Sequence, residues 1–154
     1  MAFELQASTQ GPRVEASSQR VEAMTQGARI LLAEDDDELR QLLASSLRRD
    51  GHLVEEAING MDLLAKAGRS LLGCGGSPID LVITDVCMPG FTGLEVLAAL
   101  HETAPGLRVI VITAFGSRET HDEAERLGAS AFFDKPLDTT ELRATVRRLT
   151  TRKA

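Results

Sequence analysis

At 154 residues and with a hydrophobic fraction of 43%, the chain has the length and apolar content of one globular domain with a sizeable core. Aromatic residues make up only 3% of it, so the core is predicted to consist of Leu, Val, Ile and Ala. The net charge of −6 argues against a nucleic-acid surface, which needs clustered Lys and Arg, and suits a cationic ligand or a metal better.

Residues 1–27 form a polar extension ahead of the first strand pattern. Within it, "RVEASSQ" at 13–19 is followed at once by "RVEAMTQ" at 20–26, which is a seven-residue repeat. A coiled coil needs apolar residues sustained over roughly three or four heptads, and this segment has too few. We expect a disordered tail or a fraying helix.

The sequence shows no signal peptide and no apolar run of roughly 18 residues, so it predicts a cytoplasmic protein without a membrane span.

From Ala28 onward, short aliphatic runs alternate with helical patterns. The runs are "RILLA", "HLVEEA", "IDLVIT", "RVIVIT" and "AFFD". Stripes of apolar residues at helical spacing mark the first and last helices: Leu39, Leu42, Leu43 and Leu47, then Leu142, Val146 and Leu149. Capping-box spacing places two further helix starts at Thr92 with Glu95 and at Asp138 with Glu141.

The strand runs are continuously apolar rather than alternating, which indicates that both faces of the sheet are covered. This is typical of a parallel sheet flanked by helices. Five strands alternating with five helices predict an α/β, doubly wound (βα)5 domain over residues 28–150, followed by a short tail at 151–154. In such a sheet, ligands bind beyond the carboxyl ends of the strands.

The segment "AGRSLLGCGGSPID" is predicted to be a flexible, glycine-rich loop between the second helix and the third strand. Its glycines are similar to a methyltransferase cofactor loop, but such a loop must follow a strand and open a helix, and this one follows a helix. Cys74 and Cys87 are too few for a disulfide framework, which indicates a reducing compartment, and we expect both to be small buried hydrophobes.

Polar residues with related chemistry stand at successive strand ends. Glu34 and Asp35 follow the first strand, Asp85 ends the third, Thr113 the fourth, and Lys135 the fifth. Each has an ordinary explanation alone, since acids favour helix N-termini and a lysine is usually solvated. Together, they would converge on one edge of the sheet.

These residue types fit the transfer of a phosphoryl group to a carboxylate. Neighbouring carboxylates repel one another unless a divalent cation neutralises them, and oxygen ligands suit Mg²⁺. Lys135 and the Thr113 hydroxyl would contact the phosphoryl oxygens, and Asp85 would be the covalent acceptor.

From about Arg29 to Leu149 the chain resembles the receiver domain of bacterial two-component response regulators, a flavodoxin-like module of the chemotaxis type. The resemblance rests on "ILLAEDD", "DLVITDVCMPGFTGLEVL", "VIVITAFGS", "LGASAFFDKPL" and the last helix. It implies a five-stranded parallel sheet of order 2-1-3-4-5 with helices on both faces. It also implies that Asp85 is the phosphorylated aspartate.

The same resemblance implies roles for the other site residues. Asp35 would bind the metal directly, Glu34 mainly through water, and Cys87 through its backbone carbonyl. Thr113 and Lys135 would contact the phosphoryl group, the bond before Pro136 would be cis, and Phe132 would be the switch aromatic. Cys87 and Phe115 would flank the path of the water that hydrolyses the acyl phosphate, and because neither positions water well, hydrolysis would be slow.

As a receiver, the chain would take its phosphoryl group from a sensor histidine kinase or a histidine phosphotransfer protein, with Mg²⁺. The face made by the fourth helix, the fifth strand and the fifth helix would then change and regulate a downstream protein, without direct nucleic-acid contact, and could support a weak dimer. The chain would be no dedicated enzyme beyond its own phosphorylation and dephosphorylation. Ending at "LTTRKA", it is expected to be a stand-alone receiver or a fragment of a longer regulator.

Two alternatives remain at this point. A haloacid-dehalogenase-type phosphatase also uses an aspartate at a strand end, but it needs a second one two residues later, where Cys87 stands. A receiver fold could also act as an interaction module that does not depend on phosphorylation, although the retained acids, Thr113 and Lys135 argue against this.

Overall fold

The computed structural model describes residues 27–74, 77–114 and 116–151. Strands and helices alternate along the chain. In order they are β1 (Arg29–Ala33), α1 (Asp37–Arg49), β2 (Leu53–Ala57), α2 (Gly60–Leu71), β3 (Leu81–Asp85), α3 (Gly93–Thr103), β4 (Arg108–Thr113), α4 (Arg118–Arg126), β5 (Ala131–Asp134) and α5 (Thr139–Thr150). The predictions for residues 1–26 and 152–154 lie outside the described residues.

Each helix begins at a residue whose side-chain oxygen accepts a hydrogen bond from a backbone amide of the first turn. These N-caps are Asp36, Asn59, Thr92, Ser117 and Asp138. Such a bond satisfies one of the amides that a helix start leaves without a partner. The helix starts predicted from the spacing at Thr92 and Asp138 are therefore confirmed.

All five strands are parallel and lie in the order β2-β1-β3-β4-β5. The predicted doubly wound flavodoxin-like fold is confirmed. Because β1 connects to β2 on one side while β3 lies on its other side, the strand order reverses at β1 and β3. In such sheets, ligands bind beyond the carboxyl ends of the strands at this point.

Two apolar layers cover the sheet. Leu43 and Leu47 of α1 and Leu142 and Val146 of α5 pack on one face, while α2, α3 and α4 pack on the other. Strands β1, β3 and β4 are buried almost throughout, whereas β2 exposes Leu53, because β2 is an edge strand. The predicted apolar stripe of α1 is wrong at Leu42, because this side chain is 52% exposed and faces solvent.

Two other predictions, for the glycine-rich loop and for the burial of the cysteines, are corrected by the structure. Helix α2 extends to Leu71, so residues 67–71 of the predicted loop are helical, and Ala67 is buried against the core. Cys74 and Cys87 are exposed and free rather than buried, because both lie in connections outside the sheet and helices. Among the residues that the structure describes, no helix is both long enough and apolar enough to cross a bilayer.

Candidate functional site

Three acids meet at the carboxyl ends of β1 and β3. Glu34 and Asp35 follow β1, Asp85 ends β3, and one carboxylate oxygen from each lies within 4.8 Å of those of the other two. Glu34 is 2% exposed and Asp85 is 3% exposed, while Asp35 faces solvent. The sheet topology therefore brings together residues that are about fifty positions apart in the chain.

Backbone groups of the segment between β3 and α3 lie close to Asp85. The Cys87 amide donates a hydrogen bond of 2.9 Å to Asp85 Oδ1, and Gly90 adopts a φ of +82°, which favours glycine. At Gly93 a Cβ atom would lie 2.2 Å from the Asp85 carbonyl oxygen, so only glycine lets α3 begin this close to the strand. The Pro89-Gly90 turn and Gly93 thus fix the backbone around Asp85.

Lys135 joins two of the acids. Its Nζ lies 2.6 Å from Glu34 Oε1 and 2.6 Å from Asp85 Oδ2. The Lys135 amide donates to the Thr113 carbonyl across the β4–β5 pair, and the bond to Pro136 is cis. Thr113 is buried at the end of β4, one position beyond the residue that pairs with Asp85. The structure therefore brings Glu34, Asp35, Asp85, Thr113 and Lys135 to one edge of the sheet.

The charges of these groups are set by burial and by one another. Burial raises the pKa of Glu34 to about 8, and the adjacent Asp85 carboxyl adds to the rise while Lys135 opposes it. Burial acts in the same direction on Asp85, but Glu34, Lys135 and the Cys87 amide favour its charged form and lower its pKa. Burial alone would lower the pKa of Lys135, yet its bonds to both acids raise it. Asp85 and Lys135 are thus an ionised pair at neutral pH.

The raised pKa of Glu34 makes the stability of the metal-free chain depend on pH. The folded chain holds a proton that the unfolded chain, with an ordinary value of 4.5, releases, so this contribution is present below about pH 4.5 and is lost as pH rises toward 8. We expect the free energy of unfolding in EDTA to fall over that range, and Glu34→Gln, which cannot ionise, to remove most of the fall. Urea unfolding at a series of pH values measures this.

The matched control for this pH series is Glu102→Gln, which changes an exposed acid on α3. It should leave the pH dependence unchanged. Asp85 acts in a different window, since its lowered pKa gives stability that is lost only as pH falls below about 3.8. An equally steep fall toward pH 8 in Glu34→Gln would contradict this assignment.

The acids also fit a divalent metal ion. Among the described residues, Glu34 Oε2 is the one buried side-chain nitrogen or oxygen without a hydrogen-bond partner, and it lies in the acidic cluster. In its ionised form, a buried oxygen without a partner is costly, and a cation would satisfy it in place of the proton that Glu34 otherwise holds. With carboxylate oxygens as the donor set, Mg²⁺ is the fitting ion.

A buried arginine that was not among the residues predicted from the sequence supports this edge of the sheet. Arg40 on α1 donates to the Glu34 carbonyl at 2.9 Å, to Asp37 at 2.6 Å and to Glu56 on β2 at 3.2 Å. Its guanidinium therefore ties the β1–α1 connection to the neighbouring strand. The spacing of Asp37 and Arg40 was the only signal in the sequence, and nothing in it pointed to Glu56.

Phe132 is not at the acidic cluster. It lies partly buried on β5, where it packs with the core layer under α2, α3 and α4. The Cys87 side chain is exposed beside the cluster, and Phe115 lies outside the described residues.

Comparison with known proteins shows which family and which individual proteins this chain is similar to. A family described as the response regulator receiver domain matches residues 30–147. Sporulation initiation phosphotransferase F of Bacillus subtilis (strain 168) is 32% identical over 120 residues, which make up 78% of this chain and 91% of that protein. The solved structure of a CheY-like response regulator receiver domain protein from Methanospirillum hungatei JF-1 superposes with a TM-score of 0.71 at 26% identity. It covers 79% of this chain and 92% of that one.

Other relatives are longer. The DNA-binding transcriptional regulator NtrC of Azospirillum brasilense is 36% identical over 121 residues, which cover 79% of this chain but only 24% of that regulator. The similarity to such proteins therefore concerns one part of their length.

Proposed function

This chain belongs to the response regulator receiver domain family, a family of phosphotransfer switches, and we propose that its phosphoryl acceptor is Asp85. The observation that carries the proposal is the ionised pair of the buried Asp85 and the half-buried Lys135, at the edge of the sheet where β1 and β3 end. An acceptor carboxylate must be charged to attack phosphorus, and the lowered pKa of Asp85 keeps it charged.

In the proposed reaction, an oxygen of the Asp85 carboxylate forms a bond to phosphorus while the bond between phosphorus and the donor breaks. The electron pair of that bond leaves with the donor, which takes up a proton if it needs one. The Lys135 ammonium group would pair with one phosphoryl oxygen, and the Thr113 hydroxyl would donate a hydrogen bond to another. The product is an acyl phosphate on Asp85.

Glu34, Asp35, Asp85 and the backbone carbonyl of Cys87 would hold Mg²⁺. When bound, the ion supplies positive charge that screens the acids from one another and from the incoming phosphoryl group. Arg40 keeps the β1–α1 connection in place by holding the Glu34 carbonyl.

The proposal is tested by incubating the chain with acetyl phosphate in Mg²⁺ or in EDTA and measuring its intact mass. We expect a gain of one phosphoryl group with Mg²⁺ and none in EDTA. No gain under either condition would favour the alternative of an interaction module that does not depend on phosphorylation.

The partners we propose are a sensor histidine kinase or a histidine phosphotransfer protein as donor, and a downstream protein that contacts the face made by α4, β5 and α5. A weak dimer through that face belongs to the same proposal. Phosphorylation would move Thr113 and Phe132 and so change the face.

We place the reaction in the cytoplasm, whose reducing conditions suit two free cysteines. Beyond its own phosphorylation and dephosphorylation, we propose no enzymatic activity.

The lifetime of the acyl phosphate gives a further prediction. Cys87 is exposed beside Asp85 and is a weak hydrogen-bond partner for water, and Phe115 provides none. Replacing Cys87 by Asn and Phe115 by Glu together should speed phosphate loss, because polar groups can hold the attacking water in line with phosphorus. Loss of the phosphorylated mass after removal of the donor measures the rate. A double variant no faster than the unmodified chain would refute the assignment.

A further inference from the structure

Helix α4 is attached to the sheet by few apolar contacts. It buries only Ala124, whereas α3 buries Gly93, Val96, Leu97 and Leu100. Because burial of apolar surface is the main force that holds a helix on a sheet, α4 depends more than its neighbour on other contacts.

His121 makes two of these contacts, both to β5. Its ring packs on the ring of Phe132 with a distance of 3.7 Å between centroids and an angle of 37° between planes. Its Nε2 atom lies 3.1 Å from Asp134 Oδ1. Residues two positions apart on a strand point to the same face, so Phe132 and Asp134 both face α4 and one histidine reaches both.

Gly116, which precedes the N-cap of α4, lies directly on these contacts. At Gly116 a Cβ atom would stand 1.8 Å from Asp134 Oδ1 and 2.9 Å from His121 Nε2. Gly116 is three residues beyond Thr113, so a displacement of Thr113 would be transmitted over a short stretch of backbone to the pair of His121 and Asp134. The glycine at the start of α3 differs in this respect, because Gly93 lies against the backbone of Asp85 and not against a pair of side chains.

We propose that His121 is a positioning residue of the phosphorylation switch. By stacking on Phe132 and bonding to Asp134, it holds α4 and Phe132 in the resting arrangement, and it thereby sets how readily the phosphorylated arrangement forms. This inference rests on the proposed function, because it assumes that Phe132 leaves its present position when a phosphoryl group is bound.

The ring contact, rather than the bond to Asp134, carries most of this effect. The side chains of His121 and Asp134 are 39% and 56% exposed, and polar contacts that are so exposed contribute little. A ring stack of this kind shifts a two-state equilibrium by roughly twofold to tenfold. Because α4 has a single buried residue, the loss of the stack should also loosen the helix.

The experiment compares four chains: the unmodified chain, His121→Ala, His121→Phe and His101→Ala. His121→Phe keeps a ring on Phe132 without the bond to Asp134. His101→Ala is the matched control, because it removes a histidine that lies on α3 rather than on α4 and does not stack on Phe132. Two quantities are measured: the affinity for beryllofluoride with Mg²⁺, by calorimetry, and hydrogen exchange of the α4 amides without any phosphate mimic.

We expect His121→Ala to bind beryllofluoride about twofold to tenfold more tightly than the unmodified chain and to exchange its α4 amides faster. His121→Phe should stay within about twofold of the unmodified chain in both measurements, as should His101→Ala. Unchanged affinity in His121→Ala would overturn the proposal. Weaker binding would also overturn it, because the stack would then belong to the phosphorylated arrangement.

A failure of the proposed function gives a different result. If the unmodified chain does not bind beryllofluoride with Mg²⁺, the assignment of Asp85 as acceptor fails and the switching role of His121 fails with it. The exchange measurement uses no mimic, so it would still decide whether His121 holds α4. Equal exchange in His121→Ala and the unmodified chain would show that it does not.

Discussion

Replacing Asp85 by Asn is expected to abolish the uptake of phosphate from acetyl phosphate in the presence of Mg²⁺. The amide keeps the shape of the side chain and can still accept the hydrogen bond from the Cys87 amide, but it has no charged oxygen to attack phosphorus. Intact mass and a phosphate-affinity gel measure the uptake. Asp85 is buried and paired with Lys135, so folding of the variant is checked by circular dichroism and by its urea midpoint.

The matched control is Asp36→Asn, an identical change one residue beyond Asp35. Asp36 caps α1 through its side chain and lies outside the acidic cluster, and Asn caps a helix about as well as Asp. Uptake in this variant should match that of the unmodified chain. Uptake in Asp85→Asn at the unmodified rate would show that another residue is the acceptor.

The second large effect concerns the metal. Because we propose Asp35 as a direct ligand, Asp35→Ala should weaken Mg²⁺ binding by more than about a hundredfold, beyond the tenfold to hundredfold typical of outer contacts. The side chain is exposed, so its removal should leave the fold intact. The chain has no Trp or Tyr, and calorimetric titration is therefore the suitable measurement.

Glu38→Ala controls for the loss of one negative charge near the site. Glu38 is an exposed acid in the first turn of α1 that does not belong to the acidic cluster. Its removal should change Mg²⁺ affinity by no more than about threefold, through weak, screened electrostatics. If Asp35→Ala bound Mg²⁺ as tightly as Glu38→Ala, the metal assignment would be wrong.

Much of the fold could be predicted from sequence because the strands are short, continuously apolar and separated by helices with clear caps. The edge of the sheet that carries the acids follows from the same logic, since the carboxyl ends of parallel strands lie side by side. Asp85 and Lys135 therefore could be placed together although fifty residues separate them.

Contacts that depend on side-chain direction could not be predicted. Arg40 is buried because Glu56 on the edge strand and the Glu34 carbonyl both accept from it, and no local pattern encodes that pairing. The stacking of His121 on Phe132 likewise depends on how α4 lies across β5. Helix α2 was predicted too short because Gly68 and the glycines after it suggest a loop, whereas Ala67 packs on the core and the helix continues to Leu71.

The assignment of Asp85 as the phosphoryl acceptor is tested by locating the phosphoryl group on the chain. The unmodified chain is treated with acetyl phosphate and Mg²⁺, and the product is reduced with borohydride, which converts a phosphorylated aspartate to homoserine. Peptide mass analysis then finds the modified position. We predict homoserine at position 85 alone, and only when Mg²⁺ was present. No homoserine, or homoserine at a different acid, would contradict this account.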